Sequence, residues 1–263
     1  MDDSMTPHKE RVDPGDLEWR VYLAPHVQRY RFASRFVQGK KVLDAGCGVG
    51  YGCKLLAEAG AAAVVGADLS QAAIATAQQR FRDARVEFVC DDCESLLQVN
   101  GSFDVVVSLE NIEHLQQPAR FMQRLSQLIR PEGVFICSTP NIPEALNPGY
   151  RSENLYHTHE FTVEHFRSFL GEYFSDVQLW GQDFTAAHRA TALLWSNPFV
   201  RLGRWLQGLR GRKVPDQIIG AGLPLTEGDL IISEVNAESA WTLVAICRQP
   251  RSRAPQRAGG GQL

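Results

Sequence analysis

The chain has 263 residues, 44% of them hydrophobic, and a formal net charge of −3. That length and apolar content can bury a full core, as one large α/β domain with insertions or as two small domains. The charge gives no basic field for nucleic acid as an obligatory partner, and no apolar run reaches the roughly 18 residues of a membrane span.

Residues 1–16 are polar, where a signal peptide would be apolar, so a flexible start and a cytoplasmic location are expected. Six cysteines, Cys47, Cys53, Cys90, Cys93, Cys137 and Cys247, are scattered. The Cys90-Asp91-Asp92-Cys93 run has no second ligand pair, so these are read as reduced thiols rather than a zinc or redox centre. From 17 to 36, Trp19, Leu23, Val27 and Ala33 recur at helical spacing, with Pro25 expected to split the helix.

Lys41 to Gly52 organises the rest. Val42 and Leu43 end a short buried strand, Gly46, Gly48 and Gly50 form a turn, and a helix follows from Cys53 to Ala59. Three residues without Cβ let a ligand lie on backbone. The spacing is not that of a dinucleotide turn, because Tyr51 stands where the third glycine belongs, and the Lys-Ser/Thr of a phosphate loop is missing. Asp44, at the strand tip, attracts a cation instead. A second strand, Ala63 to Ala67, ends in Asp68, 24 positions after Asp44. A carboxylate there can accept ribose hydroxyls, or it can cap the helix 71–80.

Further strands follow at Arg85–Cys90, Phe103–Ser108 and Val134–Ser138, then at 176–182 and 241–248. A helix over 117–130 buries Phe121, Leu125, Leu128 and Ile129 and stops at Pro131-Glu132-Gly133. Near-continuous apolar strands alternating with helices predict a Rossmann-like α/β fold: a seven-stranded, mostly parallel sheet covered by helices on both faces. The domain spans 17–249, with a cap helix at 17–36, an insertion at 183–236 before the last strand, and a loose tail at 250–263.

Asp44 to Gly50, followed by Asp68, resembles the first motifs of class I S-adenosylmethionine (SAM) methyltransferases. The resemblance implies a cofactor site of Tyr30, Asp44, Ala45, Gly46, Cys47, Gly48, Asp68, Leu69, Asp92, Cys93 and Leu109. In it Asp44 faces the ammonium end of SAM, Asp68 the ribose and Asp92 the adenine amino group, with Asp91 a register-shifted rival. Tyr30 leans over the cofactor or serves as a core aromatic.

The chemistry is expected after the fourth strand, where Glu110, Glu113 and His114 share a face if a helical turn begins at Ile112. A sulfonium methyl is already activated, so the protein has to align a nucleophile and remove its proton. His114 suits that task, with Glu110 and His157 as further catalytic candidates. No metal is required. The Glu110-x-x-Glu113-His114 run nonetheless resembles that of polyprenyl-phenol O-methyltransferases and small-RNA 2′-O-methyltransferases. That resemblance implies an alternative in which Glu110, Glu113, His114 and His157 hold a divalent cation; the bland reading makes His157 and His159 the lip of the site.

The cap helix and the Tyr156 to Thr162 run resemble methyltransferases of sugar and natural-product pathways. Ala190 to Leu209 is apolar and aromatic on one side, with Trp195, Phe199 and Trp205, and Arg201, Arg204, Arg210, Arg212 and Lys213 gather toward its end, as in a lid, a dimer helix or a membrane-surface helix. The expected activity is methyl transfer to a hydroxyl of a small molecule, sugar or carrier-linked glycan. Metal-assisted RNA 2′-O-methylation and a SAM-binding regulatory protein are the alternatives. The expected partner is a small-molecule or glycan acceptor rather than nucleic acid, and the dimer-helix reading of 190–213 implies a homodimer.

Overall fold

A computed structural model describes residues 20–142, 156–189, 226–234 and 237–251. The expected flexible start, the apolar stretch 190–213 and the tail beyond 251 lie outside the described residues. Helix α1 runs Arg20–Ala33 and is not split at Pro25. It leads through a 3₁₀ turn, Ser34–Phe36, into β1, Lys41–Ala45. Then come α2 (Tyr51–Glu58), β2 (Ala63–Asp68), α3 (Gln71–Arg80), β3 (Val86–Cys90) and β4 (Phe103–Leu109). After a 3₁₀ turn at Ile112–His114 follow α4 (Pro118–Leu128), β5 (Ile129–Pro140), α5 (Val163–Gly171), β6 (Phe174–Phe184), β7 (Leu230–Ser233) and β8 (Thr242–Pro250).

The strands form one sheet in the order β3-β2-β1-β4-β5-β8-β6-β7. Strands β1 to β5 pair in parallel, and β8 runs antiparallel between β5 and β6. The sheet therefore has eight strands, not seven. The extra one, β7, pairs antiparallel with β6 from inside the stretch expected to be an insertion. It is four residues long at a sheet edge, too short to show an alternating pattern.

A second difference lies at Pro131-Glu132-Gly133, expected to end a helix. The helix stops at Leu128, and β5 already begins at Ile129. Pro and Gly mark irregular strands as well as helix ends, and here the pairing of β4 with β5 slips between Phe103 and Val105.

Each sheet face carries its own core, as a parallel sheet requires. On one face Tyr30, Phe32, Leu56, Ile74 and Ala77 from α1, α2 and α3 pack on Val42, Val64, Val105 and Val107. On the other, Phe121, Leu125, Phe166 and Leu170 from α4 and α5 pack on Leu43, Val106, Phe135 and Leu243. Helix α4 buries Phe121, Met122, Leu125 and Leu128, the i, i+3, i+4 stripe visible in its sequence, and starts with Pro at its first turn. No helix among the described residues is long and apolar enough to cross a membrane.

Candidate cofactor and acceptor site

The carboxyl ends of β1, β2, β3, β4 and β5 share one edge of the sheet, where α/β folds bind ligands. Asp44 and Asp68 stand at the tips of β1 and β2, which are paired in register from Lys41↔Ala63 to Ala45↔Ala67.

The glycine turn has Gly46, Gly48 and Gly50 all at positive φ (87°, 54° and 84°). Their missing side chains do different things. A Cβ on Gly46 would lie 2.7 Å from the Asn111 side chain, and one on Gly50 2.7 Å from Ala77 and 2.8 Å from Phe88. These two glycines allow close packing of the protein on itself. At Gly48 a Cβ would meet nothing within 4 Å. Of the three, Gly48 is where a ligand can approach bare backbone.

Asp68 does not cap α3. That cap is Ser70, whose hydroxyl accepts from the Ala73 N–H. Asp68 instead accepts from the Gly48 N–H (2.9 Å) and the Ser70 N–H (2.9 Å), joining the tip of β2 to the open part of the turn. Asp91 and Asp92 also separate. Asp91 is buried and accepts from the Gln98 and Val99 N–H groups, which holds the loop after β3. Asp92 is half-buried and accepts from the Glu94 N–H. Cys93, Leu109, Ala45 and Cys47 bury their side chains, whereas Leu69 is 69% exposed beside Asp68.

Asp44 has no exposed surface. It accepts hydrogen bonds from the Tyr30 hydroxyl (3.1 Å) and the Cys53 thiol (3.3 Å). Burial, reinforced by the charge of Asp68 and opposed by those two bonds, pushes its carboxyl up from 3.8 to about 7. Tyr30 packs edge-on against Tyr51, and a Cβ at Gly52 would lie 2.0 Å from the Tyr30 ring. The cap helix is thus keyed to the start of α2 as well as to Asp44.

After β4 the chain turns sharply. Glu110 sits at φ 50°, a left-handed conformation that disfavours side chains other than Gly, Asn and Asp. Its N–H and one carboxylate oxygen both bond to Ser138 on β5 (3.1 and 2.7 Å), and the other oxygen lies 3.8 Å from Arg29 of α1. Glu110 therefore does not share a face with His114.

Glu113, His114 and His157 come together, each offering one ligand atom within 4.8 Å of the others. The two imidazoles meet edge to face at 4.9 Å. His114 Nδ1 lies 3.2 Å from the Tyr156 carbonyl, and His157 Nδ1 3.2 Å from Glu160. Thr158 clamps this segment on the turn: its N–H and hydroxyl donate to the Glu113 carbonyl, and its hydroxyl also to that of Leu115. His159 lies farther out, near the Gln116 carbonyl.

Glu113 is 1% exposed, and neither carboxylate oxygen accepts a hydrogen bond of normal geometry. Desolvation first, then the negative charge of Glu110, drives its pKa well above the carboxylate range, opposed by its own backbone N–H, by Thr139 and by the charge of Arg29. His114 Nε2 lies 4.0 Å from this carboxyl, and a buried carboxyl so sparsely hydrogen-bonded holds a proton or a cation.

Sequence reading missed Arg29, Ser138, Gln182 and Thr158. Each acts through residues far away in the chain, so no local pattern marks them. Asn111 was visible only as part of a run; its place against Gly46 comes from the fold.

Residues 43–137 match a family model described as a methyltransferase domain. Over 155 residues, 36% are identical to a probable S-adenosylmethionine-dependent methyltransferase of Mycolicibacterium smegmatis, covering 59% of this chain and 59% of that protein. A ubiquinone biosynthesis O-methyltransferase of Neisseria meningitidis is 36% identical over 109 residues, covering 40% of this chain and 46% of the relative. The chain thus spans less than two thirds of the length of these relatives. A solved SAM-dependent methyltransferase of Thermotoga maritima, described as a possible histamine N-methyltransferase, has the same fold. It gives a TM-score of 0.58 at 14% identity over 87% of this chain and 91% of that one.

Sheet and rim define a Rossmann-like nucleoside-binding fold. Residues 43–137 carry the likeness to methyltransferase domains, and the Mycolicibacterium relative is described as SAM-dependent. The rim fits that cofactor: open backbone at Gly48, a carboxylate at the tip of β2 oriented by that same backbone, and a buried acid at the tip of β1 for an ammonium.

Proposed function

We propose that this protein is a SAM-dependent methyltransferase that methylates a hydroxyl of a small molecule, sugar or carrier-linked glycan. The observation that carries the reading is the position of Glu113, His114 and His157 at the end of β4, the strand beside the glycine turn. When bound, SAM supplies a methyl group already activated on a positively charged sulfur. Asp44, Asp68 and the Gly48 backbone would hold it, and Asp92 would receive the adenine. His114, half-exposed and oriented by the Tyr156 carbonyl, takes the proton from the attacking hydroxyl. His157, anchored by Glu160, orders the same side of the site. The O-methyltransferase name of the Neisseria relative supports oxygen as the acceptor atom.

A second reading is favoured by one feature, the buried carboxylate of Glu113 grouped with the imidazoles of His114 and His157. In it Glu113, His114 and His157 would hold a divalent cation, which would supply Lewis-acid activation of an acceptor hydroxyl; His114 would then be a ligand and not the base. RNA carrying vicinal hydroxyls is an acceptor class that this version admits.

The test is transfer of labelled methyl from SAM to metabolite extracts and to RNA, each with and without chelator. Labelled product in the metabolite arm, lost on His114→Ala, is expected. Chelator sensitivity in that arm selects the cation version. Label in RNA alone overturns the small-molecule reading, and no label from any acceptor alongside normal SAM binding favours a regulatory SAM-binding protein.

A further inference from the structure

Asn141 stands where the candidate acceptor site meets the far half of the sheet edge. Its backbone bridges to Phe161, in the segment that carries His157. On its other side its N–H donates to the Trp241 carbonyl (3.0 Å) and its Nδ2 to the Ala240 carbonyl (2.7 Å). The residue is 9% exposed, and its Oδ1 has no partner among the described residues. Trp241, which leads into β8, keeps its indole N–H shielded from solvent and also without a partner among them. One buried acceptor and one buried donor thus stand unmatched at the same tip, which costs stability until a bound group supplies the missing hydrogen bonds.

Trp241 is also one end of a stack of rings. Phe184, the last residue of β6, lies nearly parallel both to Trp241 (5.6 Å, 12°) and to His188 (4.9 Å, 18°). His188 is buried, whereas Phe184 and Trp241 are half-buried, so the accessible ring surface belongs to the phenyl and the indole. His188 Nδ1 lies 3.4 Å from one oxygen of Asp229, whose other oxygen accepts from the Thr226 N–H (2.9 Å). An aromatic plate rimmed by carboxamide, imidazole and carboxylate matches a sugar ring. The C–H face of the sugar lies on the plate, and its hydroxyls, each both donor and acceptor, meet the rim. A wholly aromatic acceptor would cover the plate and leave the rim unmatched.

Position adds a length. Strands β4, β5, β8 and β6 are neighbours in that order, so at about 4.8 Å per strand the tip of β8 lies about 10 Å from that of β4, and the tip of β6 about 14 Å. His114 follows β4. A single ring does not reach from a hydroxyl at His114 to the aromatic plate, but two linked rings do. Resting on the methyl-transfer reading above, we propose that Asn141, Trp241 and Phe184 form a second acceptor subsite, which holds the neighbouring sugar of a glycan at least two residues long.

The test is labelled-methyl transfer from SAM to the methyl glycosides of glucose, mannose, galactose and rhamnose and to the disaccharides of the same sugars, with catechol and a metabolite extract alongside. The best disaccharide should exceed its monosaccharide in kcat/KM by tenfold or more. Trp241→Leu should remove most of that advantage through KM rather than kcat, a split that a merely structural role would not give. Trp241→Phe keeps a ring against Phe184 but lacks the N–H and should lose part of the advantage; it serves alone if the Leu variant does not fold. A disaccharide no better than its monosaccharide, or an undiminished advantage in either folded variant, overturns the proposal. Label in catechol or the extract but in no sugar overturns it too and leaves the methyl-transfer reading intact, whereas no label in any acceptor overturns both.

Discussion

Asp44, with no exposed surface and a carboxyl pushed up to about 7, is half protonated where most carboxyls are fully ionised. An ammonium placed against it favours the ionised form, so SAM binding should release a proton below about pH 7 and almost none above pH 8.5. Calorimetry in buffers of different ionisation heat measures this, and Asp44→Asn should abolish the release and weaken binding. The same shift has a stability sign. The folded pKa is raised, so stability is fully present below pH 3.8 and is lost as pH rises through about 7. Relative to Asp44→Asn, ligand-free wild type should lose on the order of 4 kcal/mol across that window, from 1.36 kcal/mol per pKa unit. Denaturant melts at pH 4 to 8 give the difference directly. Glu113 carries the same sign: Glu113→Gln should stabilise the protein at neutral pH while reducing methyl transfer. A Gln variant no more stable than wild type would mean that the carboxylate has a partner in solution.

Among the elements, the glycine turn divides between packing and binding. Gly48→Ala places a Cβ in open space at φ 54°, where a left-handed conformation costs about 1–2 kcal/mol. The variant should fold and lose SAM affinity by tenfold or more. Gly50→Ala meets Ala77 and Phe88 as well, so its main effect should be a lowered melting temperature. Paired thermal melts and titrations distinguish the two. Much of this level was legible beforehand, because buried parallel strands are short apolar runs and their acidic tips follow at fixed distances. Less legible was the residue pattern after β4. Spacing alone put Glu110 on a face with Glu113 and His114, but the left-handed turn at Glu110 sends it to Ser138 and Arg29 instead. A strand running through Pro131 and Gly133 was likewise hidden, because the residues that end helices also bend strands.

Across the whole molecule, the sheet keeps two polar centres apart on its carboxyl edge. The α1 face holds Arg29, Glu110 and Gln182; the α4 and α5 face holds Glu113, His114 and His157 beside Thr139. The first group was invisible in sequence, since Arg29 lies 153 positions from Gln182 and only the fold brings them together. Under the function proposed above, cofactor and acceptor would occupy adjoining parts of this edge. Hydrogen exchange should therefore show SAM protecting residues 46–50, 68–70 and α1, with little change at Tyr156–Phe161 until an acceptor is added.

The most direct measurement is titration of the folded protein with SAM, alongside Asp68→Ala. One saturable site per chain in wild type, lost in a variant whose melting curve still shows a folded protein, is the predicted result. Absence of binding in folded wild type, or undiminished affinity in Asp68→Ala, would contradict the assignment of the strand tips to this nucleoside.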